Sequence, residues 1–239
     1  MPDTEHKKDR DAGQQTHLCE RNMRAENWET LWQGKETQLR WSEPDERIIA
    51  LMPSLKAERI HRVLDLGCGI GRHVIHMAKS GFETYGLDSS EHGLAHCRKW
   101  LAAEGLRANL SLGDIAELPY DSDLFDFVIS WNVIYHATRT TMVEVLPEIS
   151  RVMQSKALLY LTLNSTKNKH YGAGTEVEPG TFDNPEKGDG QHLHHYSDKK
   201  DVRDLLSSWD IEEMSESEET LSGKLYPGSW HWMILARKW

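Results

Sequence analysis

From about residue 60 onward, short apolar runs alternate with amphipathic stretches. "RVLDLG" (62–67) reads as a buried strand, and "RHVIHMAKSG" follows as a helix with Val74, Met77 and Ala78 on one face, closed by Gly81. "ETYGLD" (83–88) is a second strand. The next helix starts at the capping serines Ser89 and Ser90 and carries Leu94, Cys97 and Leu101 at helical spacing. "ANLSLGD" (108–114), "FDFVISW" (125–131) and "ALLYLTL" (157–163) read as the third, fourth and fifth strands. Between the last two, Met142, Val145, Ile149 and Val152 mark a helix with Pro147 inside it. Such alternation predicts a mostly parallel sheet covered on both faces. "WDIEEMSESEE" and "SWHWMILARKW" predict two final strands joined by the turn "SGKLYPG", an antiparallel hairpin ending the sheet.

Two regions fall outside this rhythm. "MPDTEHKKDRDAGQQTH" is polar throughout and lacks the apolar core of a secretory signal, so residues 1–20 are expected to be a disordered tail. Residues 164–197 are polar and Gly-rich, too long for a plain connection, and are expected to be a functional loop.

Composition narrows the function classes. At 239 residues, with 38% hydrophobic and 28% charged, the chain suits one domain with a cap. The formal net charge of −10 and scattered Lys and Arg argue against a nucleic-acid partner. No apolar run is long enough for a membrane span. Cys19, Cys68 and Cys97 form neither a disulfide framework nor a zinc signature, which fits a reducing cytoplasm.

"VLDLGCGIG" (63–71) carries the chemistry. A strand ends, Gly67, Gly69 and Gly71 surround Cys68 and Ile70, and a helix begins. Glycine here lets the chain turn tightly and a ligand approach the backbone. A dinucleotide site would place a third glycine where Arg72 stands, and a pyrophosphate on the helix N-terminus. Asp65 would repel a pyrophosphate but welcome the cationic amine of an amino-acid group. Asp88 ends the second strand where a carboxylate can accept ribose hydroxyls. Asp114 ends the third, able to accept from an adenine amine, with Ile115 beside the ring.

In this order, "VLDLGCGIGRH", "GLDSS", "GDIAELPY" and "FDFVISWNVIYH" resemble the motifs of class I S-adenosylmethionine-dependent methyltransferases, over about residues 60–163. The resemblance implies an α/β fold: a Rossmann-like, doubly wound sheet of seven strands, mostly parallel, with the last strand antiparallel. It implies S-adenosylmethionine as cofactor, with Asp65, Gly67, Cys68 and Gly69 near the methionine moiety, Asp88 and Ser89 at the ribose, and Asp114 and Ile115 at the adenine. Trp131 and Asn132 would border the cofactor. The chain departs from the family at "QSKA" (154–157), where Pro-Gly-Gly is frequent.

The stretch "ENWETLWQGKETQLRW", within residues 21–58, resembles the tryptophan-bearing lid of small-molecule methyltransferases, including the thiopurine and tellurite-resistance types. Trp28 and Trp32 share a helical face and are expected at the cofactor, with Trp41 near the substrate. Residues 59–239 would then be the methyltransferase domain, with its cap at 164–197. The cap runs "NSTKNKHYGAGTEVEPGTFD" and "HLHHYSDKKDVRDLLSSW" resemble those of the tellurite-resistance-like branch. His136, His194 and Tyr171 are candidate substrate-handling groups, and Glu176 and His192 candidate substrate contacts, with His195 facing away and Ser197 starting a helix.

His192 and His194 have a spacing metals use, and Glu176 or His170 could complete such a site. Methyl transfer itself needs no metal, and none is expected. His73, His76, His92 and His96 read as solvated. Trp230 and Trp232 share a face with Ile234 and read as core. The expectation is a cytoplasmic methyltransferase acting on a small-molecule O, S, N or chalcogen nucleophile by in-line displacement, with no obligatory protein partner. Two other readings stay open: a nicotinamide-dependent Rossmann oxidoreductase, disfavoured by Arg72 with Asp65 and Asp114, and a non-catalytic S-adenosylmethionine-binding module.

Overall fold

The computed structural model describes residues 25–185, 193–221 and 224–239, so the expected tail at 1–20 lies outside the described residues. The chain enters through three helices, α1 (25–31), α2 (Lys35–Arg40) and α3 (Glu46–Ala57). It then alternates as expected: β1 (Arg62–Leu66), α4 (Arg72–Lys79), β2 (Glu83–Asp88), α5 (Glu91–Ala103), β3 (Asn109–Leu112), β4 (Phe125–Ser130), α6 (Arg139–Val152) and β5 (Met153–Ser165). Ser90 caps α5, its hydroxyl accepting from the Gly93 N–H at 3.1 Å.

β3, β2, β1, β4 and β5 lie side by side in that order, all parallel. β10 (Lys224–Lys238) adds to β5 antiparallel, and β9 (Trp209–Leu221) pairs with β10 antiparallel at the edge. These seven strands are the sheet the alternation predicts. Strand parity sends side chains to two cores. Leu64, Leu66, Val128, Leu159 and Leu161 pack with α6, whereas Val63, Phe127, Ile129, Leu158 and Tyr160 pack with α3 and Met77 of α4.

Four details differ from the sequence expectations. The cap is not only loop: β6 (Thr175–Glu178), β7 (Thr181–Asp183) and β8 (Leu193–Ser197) form a small antiparallel group, joined to β5 by the pairs Asn164–Tyr196 and Ser165–Ser197. Ten strands are therefore described, three more than the expected seven. "QSKA" lies inside β5, where Lys156 takes φ 65° and the register with β4 shifts between Phe125 and Phe127. The expected turn "SGKLYPG" is largely strand, since β10 begins at Lys224 and absorbs Pro227 and Gly228 in a register shift between Leu225 and Trp230. Finally, Asp198 rather than Ser197 caps α7 (Lys199–Leu205), accepting from the Asp201 N–H at 2.8 Å. No helix among the described residues is long and apolar enough to cross a membrane.

Candidate active site

The carboxyl ends of β1, β2 and β3 open into a cavity of about 740 Å³, roofed by α1 and α2. Parallel sheets place ligands at this end because each strand delivers a loop there. The turn after β1 is left-handed at Gly67 (φ 74°) and Gly69 (φ 52°). A Cβ on Gly69 would lie 2.5 Å from Cζ2 of Trp32, and one on Gly67 would meet Val133. Glycine therefore admits neighbouring side chains as well as turning the chain.

Asp88 is buried and accepts from the Gly69 N–H at 2.6 Å and the Ser90 N–H at 2.8 Å. Burial pushes its pKa up to about 6 against the pull of those N–H groups. Asp65 stands behind the turn and does not line the cavity. Burial, with the like charge of Asp88 adding to it and Arg72 opposing, takes its carboxyl up to about 7. Its Oδ2 has no hydrogen-bond partner among the described residues.

His73 is the clearest correction to the solvated-histidine expectation. It is buried, and its Nε2 accepts the Asp45 N–H at 3.2 Å, leaving the proton on Nδ1, 4.0 Å from Asp65 Oδ2. Burial and the Arg72 charge hold its pKa well below the usual histidine range. His92 is exposed but ion-paired with Glu29 of α1.

Of the expected cofactor contacts, Gly67, Cys68, Asp88, Ser89, Asp114 and Ile115 line the cavity. So do Trp28, Trp32 and Trp131, whereas Asp65 and Gly69 do not, the latter lying under Trp32. Asp114 Oδ1 accepts the Ala116 N–H at 2.9 Å, which fixes the loop after β3. Trp28 and Trp32 stack with ring centroids 6.3 Å apart. Glu29 fastens the lid, accepting from Ser90 Oγ at 2.6 Å and from the His92 N–H at 3.1 Å. Although burial raises it, these hydrogen bonds take its pKa down to about 2.

The substrate candidates divide. Trp41 and His136 line the cavity. His194 lies behind His136, ring centroids 4.7 Å apart, and is fully buried. Tyr171 is 46% exposed and packs on Phe182 and Tyr196 away from the cavity. Glu176 is exposed and accepts the Gly180 N–H at 2.9 Å, turning the β6–β7 hairpin. His192 lies outside the described residues. His195 points away from His194 as parity requires, but into a buried network, its rings' nitrogens 2.8 Å from Thr181 Oγ1 and from Asp201 Oδ2. Trp232 is core, donating to the Ser197 carbonyl at 2.8 Å, and Trp230 lies beneath the Lys167 ammonium.

Sequence reasoning missed Arg72 as a cavity group. Its guanidinium is buried, lies over Trp41 at 4.8 Å from the ring centroid, and donates to the Glu43 carbonyl at 3.3 Å. An arginine directly after a glycine turn was the available signal. Asn132 also lines the cavity, in the left-handed region at φ 58°. It donates to Glu219 Oε1 at 2.8 Å, while its Oδ1 accepts from Thr162 at 3.0 Å.

The family model described as "Methyltransferase domain" matches residues 63–156, from β1 into β5. These residues resemble a methyltransferase domain. Methyltransferase GfsG of Streptomyces halstedii is 28% identical over 160 residues, covering 65% of this chain and 57% of its own length. Ajmaline N-methyltransferase of Rauvolfia serpentina is 32% identical over 90 residues, 36% of this chain and 31% of that protein. The chain thus spans about a third to three fifths of the length of these curated relatives. In structure, an S-adenosylmethionine-dependent methyltransferase from Methanosarcina mazei superimposes with a TM-score of 0.64 at 23% identity, covering 74% of this chain and 92% of its own. The chain has the fold of that S-adenosylmethionine-dependent methyltransferase, and the matched residues include the glycine turn, Asp88 and Asp114 of the cavity wall.

Proposed function

We propose that this methyltransferase transfers the methyl group of S-adenosylmethionine to a small-molecule nucleophile inside the lidded cavity. One observation carries the reading: a single cavity joins the glycine turn, Asp88 and Asp114 to a wall of aromatic and imidazole side chains. The residues fit the cofactor. Asp88 would take the ribose hydroxyls and Asp114 with Ile115 the adenine. Arg72 keeps N–H donors beyond the one used by Glu43, suited to a carboxylate. When bound, S-adenosylmethionine supplies an electrophilic methyl group on a sulfonium, transferred by in-line displacement.

The chain's own groups orient and enclose. Trp28, Trp32 and Trp41 exclude water from a charge-dispersing reaction, and His136 stands at the acceptor side. The likeness of lid and cap to the thiopurine and tellurite-resistance types supports a small acceptor, as does a cavity closed by α1 and α2. Titration calorimetry tests the reading: S-adenosylhomocysteine should bind in the micromolar range and NAD should not. Asp88→Ala should abolish the former. Binding of NAD alone would overturn the proposal.

A further inference from the structure

The cavity wall also carries two groups that the cofactor assignment leaves unused. Tyr135 lies in the loop after β4 and His231 in β10; both are buried and both line the cavity. Tyr135 Oη is 3.3 Å from His231 Nε2, and Nδ1 of the same ring is 3.3 Å from the Ser229 carbonyl oxygen. A carbonyl only accepts, so Nδ1 carries the ring proton and Nε2 offers its lone pair. The Tyr135 hydroxyl therefore donates to His231; a phenol oxygen that donates its own proton can also accept one.

A third group completes the arrangement. Asn164 faces His231 in the β5–β10 register, so the two side chains leave the same face of the sheet. It is 1% exposed and lines the cavity, and its Nδ2 has no hydrogen-bond partner among the described residues. Leaving a buried amide donor unmet costs about 1–3 kcal/mol, which a ligand oxygen would recover.

Resting on the methyltransferase reading above, we propose that Tyr135, His231 and Asn164 activate the acceptor, and that the acceptor attacks through a hydroxyl oxygen. The hydroxyl donates to Tyr135 Oη and accepts from Asn164 Nδ2. Its oxygen lone pair forms the O–C bond while the C–S bond breaks, that pair staying on sulfur. The hydroxyl proton passes to Tyr135 as the phenol proton passes to His231 Nε2, and the imidazolium later returns it to solvent. Arg72 lines the same cavity, and its positive charge favours negative charge on the phenol oxygen during the relay.

The chemistry selects a hydroxyl over the other nucleophiles. A thiol ionises near pH 8.5 and needs little help, and a neutral amine attacks through its own lone pair. A hydroxyl holds its proton far more tightly and gains from both a base and an amide donor. The carboxylate on this wall, Glu219, already accepts from Asn132 at 2.8 Å and from Ser229 Oγ at 3.1 Å, which leaves it poorly placed to hold an ammonium acceptor.

The test uses 2-naphthol, naphthalene-2-thiol and 2-naphthylamine as probes, with the full chain, labelled S-adenosylmethionine and the variants Tyr135→Phe and His231→Gln. Wild type should methylate the naphthol, and each variant should lower naphthol kcat about 100-fold relative to thiol kcat. Affinity for S-adenosylhomocysteine should hold. Equal loss on naphthol and thiol, or turnover of thiol or amine but not naphthol, would overturn the proposal. So would intact S-adenosylhomocysteine binding without naphthol turnover. Absence of S-adenosylhomocysteine binding in wild type would overturn the methyltransferase reading along with it. Histidine-selective 15N spectra give a readout independent of turnover. His231 should be the Nδ1–H tautomer, with its Nε2 resonance shifted by Tyr135→Phe, and an Nε2–H tautomer would refute the relay.

Discussion

Asp201 holds the cap to the body of the domain, and its replacement by Asn has a calculable consequence. From the first turn of α7, its Oδ1 accepts from Arg139 Nε of α6 at 2.5 Å. Its Oδ2 accepts from His195 Nε2 and from Ser197 Oγ of β8, each at 2.8 Å. His195 in turn meets Thr181 of β7, so two cap strands are tied to one carboxylate. Burial alone would raise Asp201, but the bonds from His195, Arg139 and Ser197 outweigh it and take the pKa from 3.8 to about 2. A fall of that size corresponds to about 2 kcal/mol of folding stability. Because the folded pKa is depressed, this contribution is present above the unfolded value near 4 and is lost as pH falls toward 2. Asp201→Asn keeps the shape, loses the charge, and turns an amide N–H toward groups that also donate. Thermal unfolding near pH 7 should place the variant roughly 4–8 °C below wild type. In urea titrations from pH 7 to pH 3, the gap should persist above pH 5 and narrow below pH 4. A gap of the same size at pH 3 and pH 7, or no gap at pH 7, would refute this account of the network.

Two further outcomes follow from the glycine turn. Gly69→Ala places a Cβ 2.5 Å from Trp32 at a φ of 52°, so strain and displacement of the lid should come together. The variant should fold, expose residues 25–41 to proteolysis and bind S-adenosylhomocysteine at least about tenfold more weakly, a loss of about 1.4 kcal/mol; an unchanged proteolysis rate would contradict the lid packing. Asp65 works in the opposite sense to Asp201. Its folded pKa of about 7 lies above the unfolded value, so wild type is favoured at low pH and loses stability as pH rises through 7. Asp65→Asn, which resembles the protonated form, should unfold at higher denaturant than wild type at pH 8 and converge with it near pH 4. A variant no more stable at pH 8 would refute the burial argument.

How much could be read in advance depended on how local each feature was. β1, its glycine turn, α4, Asp88 and the Ser90 cap are set by residues a few positions apart, and the sequence pattern carries them. His73 sits on what looks like a polar helix face, yet it is buried because its partner, the Asp45 N–H, arrives from 28 residues earlier. The cap strands were hidden for the same reason. Thr181 pairs with His195, and Phe182 with His194, across segments too short and polar to show a strand period. In β10, Pro227 and Gly228 signal a turn, but antiparallel pairing with β9 and β5 on either side of the register shift overrides them. The acceptor-side wall was least legible. Tyr135, Asn164 and His231 come from three separate elements, and only the sheet order brings them to one cavity.

The cavity's two coverings are fastened by the same physical device on different supports. The lid is held through Glu29, whose carboxylate meets the start of α5 at Ser90 and His92, beside the strand that ends in Asp88. The cap is held through Asp201, which meets α6 and β8. Both carboxylates are depressed to about 2, so both fastenings keep their charge throughout the neutral range. Their strengths differ, because Glu29 is a third exposed and solvent screens it to about 1 kcal/mol or less, whereas Asp201 is mostly buried. The weaker fastening lies over the glycine turn, where Trp32 covers Gly69. The stronger one supports β8, whose His194 backs His136 of the cavity wall. On the proposed function, opening would therefore be directed to α1 and α2, while the cavity wall backed by β8 would keep its geometry.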